Sequence, residues 1–111
     1  MNDLNKRSLL KLAAVNIAFA YVGPVGDGGW SFAHDNGRKA LEKEYGDKIK
    51  TTFVESVPEG PDSEKVMADM ASSGHKLIFA TSFGYMNYVL NSAKRHPGVL
   101  YEHATGYKRA A

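Results

Sequence analysis

The 111-residue chain has no cysteine. Disulfides, thiolate zinc sites, cysteine nucleophiles and lipid-modified cysteines are thereby excluded, while the redox compartment stays open. No run of about 20 apolar residues occurs, so no segment reads as a membrane-spanning helix. Neither sign of charge dominates. Lys and Arg number 14 and Asp and Glu 12, for a formal net charge of +2. No basic stripe runs along one face, which argues against nucleic acid as a partner. His34, His75, His96 and His103 show no His-x-x-x-His spacing, so no metal site is indicated. Internal repeats and low-complexity segments are also lacking. What remains is a soluble-type composition long enough for one domain with a small core.

Four glycines do stand close together, in Gly23-Pro24-Val25-Gly26-Asp27-Gly28-Gly29-Trp30-Ser31. The chain is organised around this stretch. Glycine lets the backbone turn tightly and approach a ligand. An acid and the only tryptophan lie within the turn. The apolar run Asn16–Val22 enters it and reads as a buried strand. A helix over Ser31–Tyr45 leaves it. Trp30, Ala33, Gly37, Ala40 and Leu41 recur at spacings of three and four, which puts them on one face. Gly37 is costly inside a helix, so close packing on a sheet is expected there.

The same alternation continues. Lys50–Glu55 is β-branched and aromatic, a second strand. Pro61 opens a helix with Val66, Met67, Met70 and Ala71 on its apolar face, and Gly74 ends it. Lys76–Ala80 is a third strand, Tyr85–Arg95 a third helix with Met86, Val89, Leu90 and Ala93 inward, and Val99–His103 a fourth strand. This β-α-β-α-β-α-β order implies an α/β fold, a three-layer αβα arrangement around a parallel sheet. Ligands bind beyond the carboxyl ends of such strands. The loops Gly23–Ser31, Ser56–Pro61, Thr81–Gly84 and Ala104–Tyr107 are therefore the candidates.

Several chemistries fail on residues. A dinucleotide fingerprint needs a third glycine, and Trp30-Ser31 stands where it would fall. The Gly-Lys-Ser/Thr of a phosphate loop is missing, and Asp27 would repel a phosphate. A carboxylate beside an indole suits a neutral, donor-rich, flat ligand, with Trp30 as a stacking surface. The bland alternative is that Trp30 caps the core and Asp27 caps the helix. Ser82 sits between strand and helix, like a hydrolase nucleophile. No aspartate follows it, however, and Glu102 and His103 are strand neighbours pointing to opposite faces. A receiver domain would need acids at the ends of the first and third strands, where Tyr21-Val22-Gly23 and Ala80-Thr81-Ser82 stand. His34 and Asp35 read as surface residues early in a helix, His75 and His96 as solvated helix-end residues.

Four motifs in order carry a resemblance. They are Tyr21-Val22-Gly23-Pro24-Val25-Gly26-Asp27-Gly28-Gly29-Trp30-Ser31, Val54-Glu55-Ser56-Val57-Pro58-Glu59-Gly60, Thr81-Ser82-Phe83-Gly84-Tyr85-Met86 and Glu102-His103-Ala104-Thr105-Gly106-Tyr107-Lys108. With these the chain resembles the BMP (basic membrane protein) family of type I periplasmic binding proteins, from about Asn16 onward. The resemblance implies the solute-binding component of an ABC importer, with a purine nucleobase or nucleoside held between two α/β lobes. It implies a permease partner, a periplasmic location, no cofactor and no catalysis. It implies ligand contacts from Asp27, Gly29, Trp30, Ser82, Phe83, Gly84, His103, Thr105 and Gly106. Residues 1–14 read as a truncated signal-like or disordered N-terminus without a lipobox cysteine. Residues 15–111 read as the first lobe, with the second absent. Two competing readings are an α/β enzyme using Ser82 or Asp27, and a non-binding fragment that dimerises through the surface a second lobe would cover.

Overall fold

The computed structural model describes residues 14–105. Four strands form one sheet: β1 (Val15–Ala20), β2 (Ile49–Val54), β3 (Leu77–Ala80) and β4 (Leu100–His103). Three helices connect them: α1 (Trp30–Tyr45), α2 (Pro61–Ser72) and α3 (Met86–Arg95). Short 3₁₀ turns precede α1, follow it and precede α3. The sheet order is β2-β1-β3-β4, and every pair is parallel. The α/β architecture expected from the alternation is thus the one observed. Pro61 opens α2 and Gly46, in the left-handed φ region, stops α1.

Right-handed crossovers fix which helix covers which face. The chain steps from β1 outward to β2, then back across β1 to β3 and on to β4. The reversal places α1 on one face and α2 with α3 on the other. On the α2/α3 face, Ala18, Ala20, Ile78 and Ala80 pack with Met67, Met70, Tyr85 and Val89. Small alanines on β1 and β3 let the two helices approach the sheet. Met67 and Ile78 are fully buried, each contributing about 1.5–3 kcal/mol relative to exposure. Ser92, also buried, shares a hydrogen bond with the Tyr101 hydroxyl at 2.7 Å.

The α1 face is built differently, and here the sequence reading is corrected. Ala33, Gly37 and Ala40 are exposed, and a Cβ on Gly37 would meet nothing within 4 Å. The buried positions of α1 are Ser31, Asp35 and Arg38, also at helical spacing. Asp35 is no surface residue. The fully buried Tyr21 donates its hydroxyl to Asp35 Oδ1 at 3.1 Å, and Arg38 Nε donates to the same oxygen at 2.6 Å. Arg38 Nη1 reaches Thr51 Oγ1 on β2 at 2.9 Å and Glu42 at 3.2 Å, and its guanidinium lies 4.6 Å from the Phe53 ring centre. Burial pushes the Asp35 carboxyl up, but hydrogen bonds from Arg38 and Tyr21 and the nearby cations outweigh it and hold it below its ordinary value. Burial first, and the Asp35 charge second, push the Tyr21 phenol well above its ordinary value. A polar network with satisfied donors therefore seats α1 where an apolar stripe was expected. Beneath it lie Ile17, Phe19 and Leu41, with Phe19 stacked on Phe79 at 4.7 Å. His75 is likewise engaged, bridging Met70 O at 2.9 Å and Thr52 Oγ1 at 2.8 Å, and so ties the end of α2 to β2.

Candidate ligand-binding site

The reversal of strand order between β1 and β3 opens a crevice at their carboxyl ends. The glycine-rich loop approaches it from β1. Gly28 takes a left-handed φ of 73°, which favours glycine and turns the chain into α1. Three of the loop's amides are already engaged. Gly23 N donates to Ser31 Oγ at 3.0 Å, Val25 N to Glu55 Oε1 at 2.8 Å and Gly29 N to Asp27 Oδ1 at 2.9 Å. A phosphate cradle needs such amides free and aimed at the ligand. Here two of the three hold carboxylates. Asp27 thus orders its own loop through Gly29 and does not cap α1, whose N-cap is Gly29 with no side-chain bond.

Trp30 is the first residue of α1, and its side chain crosses the crevice. Its indole N–H donates to the Thr81 carbonyl just beyond β3. The His34 ring lies 4.6 Å away, tilted by 51°. Yet the residue remains 48 % exposed. It does not cap the core, because its polar edge is pinned while much of the ring stays open. Thr81 is itself fixed, its Oγ1 donating to Ala20 O at 2.8 Å.

The β3–α3 turn supplies the next positions. Ser82 is buried, Gly84 half-buried, and Phe83 is 55 % exposed. The Ser82 hydroxyl and the Gly84 amide, the latter at 2.9 Å, both donate to Glu59 Oε2. From β4, His103 Nε2 donates to the Ser82 carbonyl at 2.5 Å. Thr105 lies at φ 67°, exposed, with its hydroxyl on Ala104 O at 2.5 Å. Gly106 and the first thirteen residues lie outside the described residues. Asp27, Gly29, Trp30, Ser82, Phe83, Gly84, His103 and Thr105 therefore all stand at the carboxyl edge of one sheet. The sequence reading missed Glu55 and Glu59, which tie the β2–α2 loop to the loops on either side. Neither has a local signal, since their partners lie 30 and 25 residues away in sequence.

Among the described residues, the edge loops after the four strands carry the acids Asp27, Glu55 and Glu59 and no Lys or Arg. Such a field favours neutral or cationic ligands over phosphorylated ones. A cavity of about 270 Å³ lies on the α1 side of β3 and β4, lined by Phe19 and Phe79 and flanked by His34, Glu102 and His103. It borders the crevice through Thr81, His103, Ala104 and His34, and its lining is mostly apolar. Ser82 has no imidazole on its hydroxyl, because His103 engages the backbone carbonyl instead. No group of three or more potential metal ligands occurs among the described residues. No helix there is long and apolar enough to cross a membrane.

Comparison with known proteins follows the same lines. The family model described as ABC transporter substrate-binding protein PnrA-like, Bmp, matches residues 14–111. The chain is 51 % identical over 96 residues to a purine-binding protein of Brucella abortus (strain 2308), covering 86 % of this chain and 27 % of that protein. It is 40 % identical over 94 residues to a putative ABC transporter glucose-binding protein of Haloferax volcanii, covering 85 % of this chain and 24 % of that one. Two solved solute-binding proteins of ABC transporter systems share the fold. That of Aeropyrum pernix K1 superposes with a TM-score of 0.74 at 20 % identity, covering 86 % of this chain and 25 % of the other. That of Conexibacter woesei does so with a TM-score of 0.71 at 19 % identity, covering 79 % and 28 %. The chain belongs to the Bmp family of ABC transporter substrate-binding proteins. It spans about a quarter of the length of the relatives it matches.

Proposed function

We propose that the chain forms one wall of a cleft that binds a purine nucleobase or nucleoside, as the solute-binding component of an ABC importer. The observation that carries this reading is Trp30, an indole pinned by its N–H at the β1/β3 crevice with its ring still open. A ring so held has lost its rotational freedom before a ligand arrives, so stacking costs less entropy. The purine-binding relative at 51 % identity supports the ligand class. Among the described residues the edge loops carry acids and no Lys or Arg, which supports an uncharged ligand. In this reading Trp30 stacks on the base, the Ser82–Gly84 turn and Phe83 line the cleft, and His103 and Thr105 close its β4 end. Asp27 and Gly29 set the course of the loop. A second lobe forms the opposite wall, the location is periplasmic, and a permease receives the ligand.

A sugar ligand is the second reading, favoured by the glucose-binding name of the relative at 40 % identity and by the capacity of an indole to stack on sugars. Calorimetric titration with adenine, adenosine, guanosine and glucose separates the two. Heat with the purines and none with glucose is the expected result. Heat with glucose alone would replace the purine reading. The enzymatic alternative predicts esterase turnover abolished in Ser82→Ala. The hydroxyl's bond to Glu59 and the absence of a histidine on it speak against that.

A further inference from the structure

The β3–α3 turn owes its shape to a residue from another loop. Glu59 stands in the β2–α2 loop, outside the positions that the sequence pattern assigns to ligand. One of its oxygens, Oε2, receives both the Ser82 hydroxyl and the Gly84 amide. The absence of a side chain at position 84 is what admits it. A Cβ there would collide with the carboxylate, the Cδ and the Cβ of Glu59. No left-handed φ is recorded for Gly84, so conformational freedom is not the reason for glycine. The Glu59 charge also reaches Tyr85 behind the turn, where burial first and this carboxylate second push the phenol up. The Tyr85 hydroxyl donates to Val57 O at 2.6 Å, closing a second tie between the same two loops.

A serine hydroxyl and a backbone amide converging at the start of a helix form a nest for an anion. In this chain the nest holds the protein's own carboxylate. We propose that Glu59 is the positioning residue of the cleft wall. It fixes the Ser82 hydroxyl and Gly84 amide from the neighbouring loop, and withholds that donor pair from anionic ligands. The inference rests on the purine-binding reading for its ligand, but the tie itself does not. With Glu59 in place, a neutral base or nucleoside meets an ordered turn, whereas a nucleotide meets a carboxylate where its phosphate would need donors.

The test uses the 111-residue chain and three variants, Glu59→Ala, Glu59→Gln and Gly84→Ala. The backbone amide resonance at position 84 is followed by ¹⁵N–¹H NMR, and adenine and adenosine monophosphate are titrated by calorimetry. Glu59→Ala removes the acceptor and should shift the Gly84 amide proton upfield, while Gly84→Ala evicts the same carboxylate from the other side. Both should weaken adenine binding about tenfold, the loss expected for charge-assisted hydrogen bonds on the turn. Combining them should cost no more than either alone, since they break the same tie. Glu59→Gln retains an acceptor oxygen. It should keep adenine affinity within about threefold while narrowing the preference for adenine over the monophosphate. An amide at position 84 that is indifferent to Glu59→Ala overturns the proposal, as does unchanged adenine affinity in that variant or additive losses in the double variant. If that amide moves as expected but the unaltered chain binds no purine, the tie stands and the purine reading falls.

Discussion

The two faces of the sheet hold their helices by opposite means. On the α2/α3 side the contacts are apolar: Met67, Met70 and Val89 against Ala18, Ala20, Ile78 and Ala80. On the α1 side a buried carboxylate, a guanidinium and a phenol do much of the work, with Asp35 receiving both Tyr21 and Arg38. The first mode is non-directional and tolerates small repacking. The second is directional and fixes the rotation of α1 about its axis. That distinction bears on function, because α1 begins with Trp30. A helix free to roll by a few degrees would carry the indole off the Thr81 carbonyl. The polar face thus sets the place of Trp30, and the apolar face supplies stability.

The contrast can be broken from either side. The largest loss is expected for Met67→Ala, about 3 kcal/mol, from transfer free energy plus the cavity left behind. Arg38→Ala should cost about 2 kcal/mol, because it leaves the Asp35 charge buried with only Tyr21 and Lys39 near it. Urea unfolding measures both. Their pH dependence sharpens the difference. The folded-state pKa of Asp35 is depressed, so its contribution is fully present above its unfolded value and is lost as pH falls through the folded one. Between about pH 7 and about pH 3 the cost of Arg38→Ala should therefore shrink, while that of Met67→Ala stays constant. Equal pH slopes would deny the ionic character of the α1 face. The smallest effect is a gain. Gly37→Ala lies on the exposed side of α1 with open space around it, and should stabilise by about 0.5–1 kcal/mol in the same assay. A loss there would mean that Gly37 packs closely after all.

The same contrast explains what could be read in advance. All four strands were legible to within two residues, because short apolar β-branched runs between glycine and proline turns have few other interpretations. Met67, Met70, Met86 and Val89 announced the faces of α2 and α3 at helical spacing. For α1 the apolar residues misled. Trp30, Ala33, Gly37 and Ala40 are exposed, and the true inner stripe is Ser31, Asp35 and Arg38. Its signal was present, an acid and a base three apart on a helix. Its partners are Tyr21, just after β1, and Thr51, on β2, and local pattern does not show them. The positions at the carboxyl edge follow from alternation alone. Glu55 and Glu59 do not, since an exposed glutamate in a loop looks the same whether it meets solvent or another loop.

We propose that Trp30, held by the polar face of α1 and by Thr81, is a stacking platform. Calorimetric titration of the 111-residue chain and its Trp30→Ala variant with adenine, paired with thermal melting of each, tests it most directly. A binding heat in the unaltered chain, its loss in Trp30→Ala, and melting temperatures that agree closely are expected. Adenine binding that survives in Trp30→Ala, or that is lost only because the variant no longer folds, would contradict it.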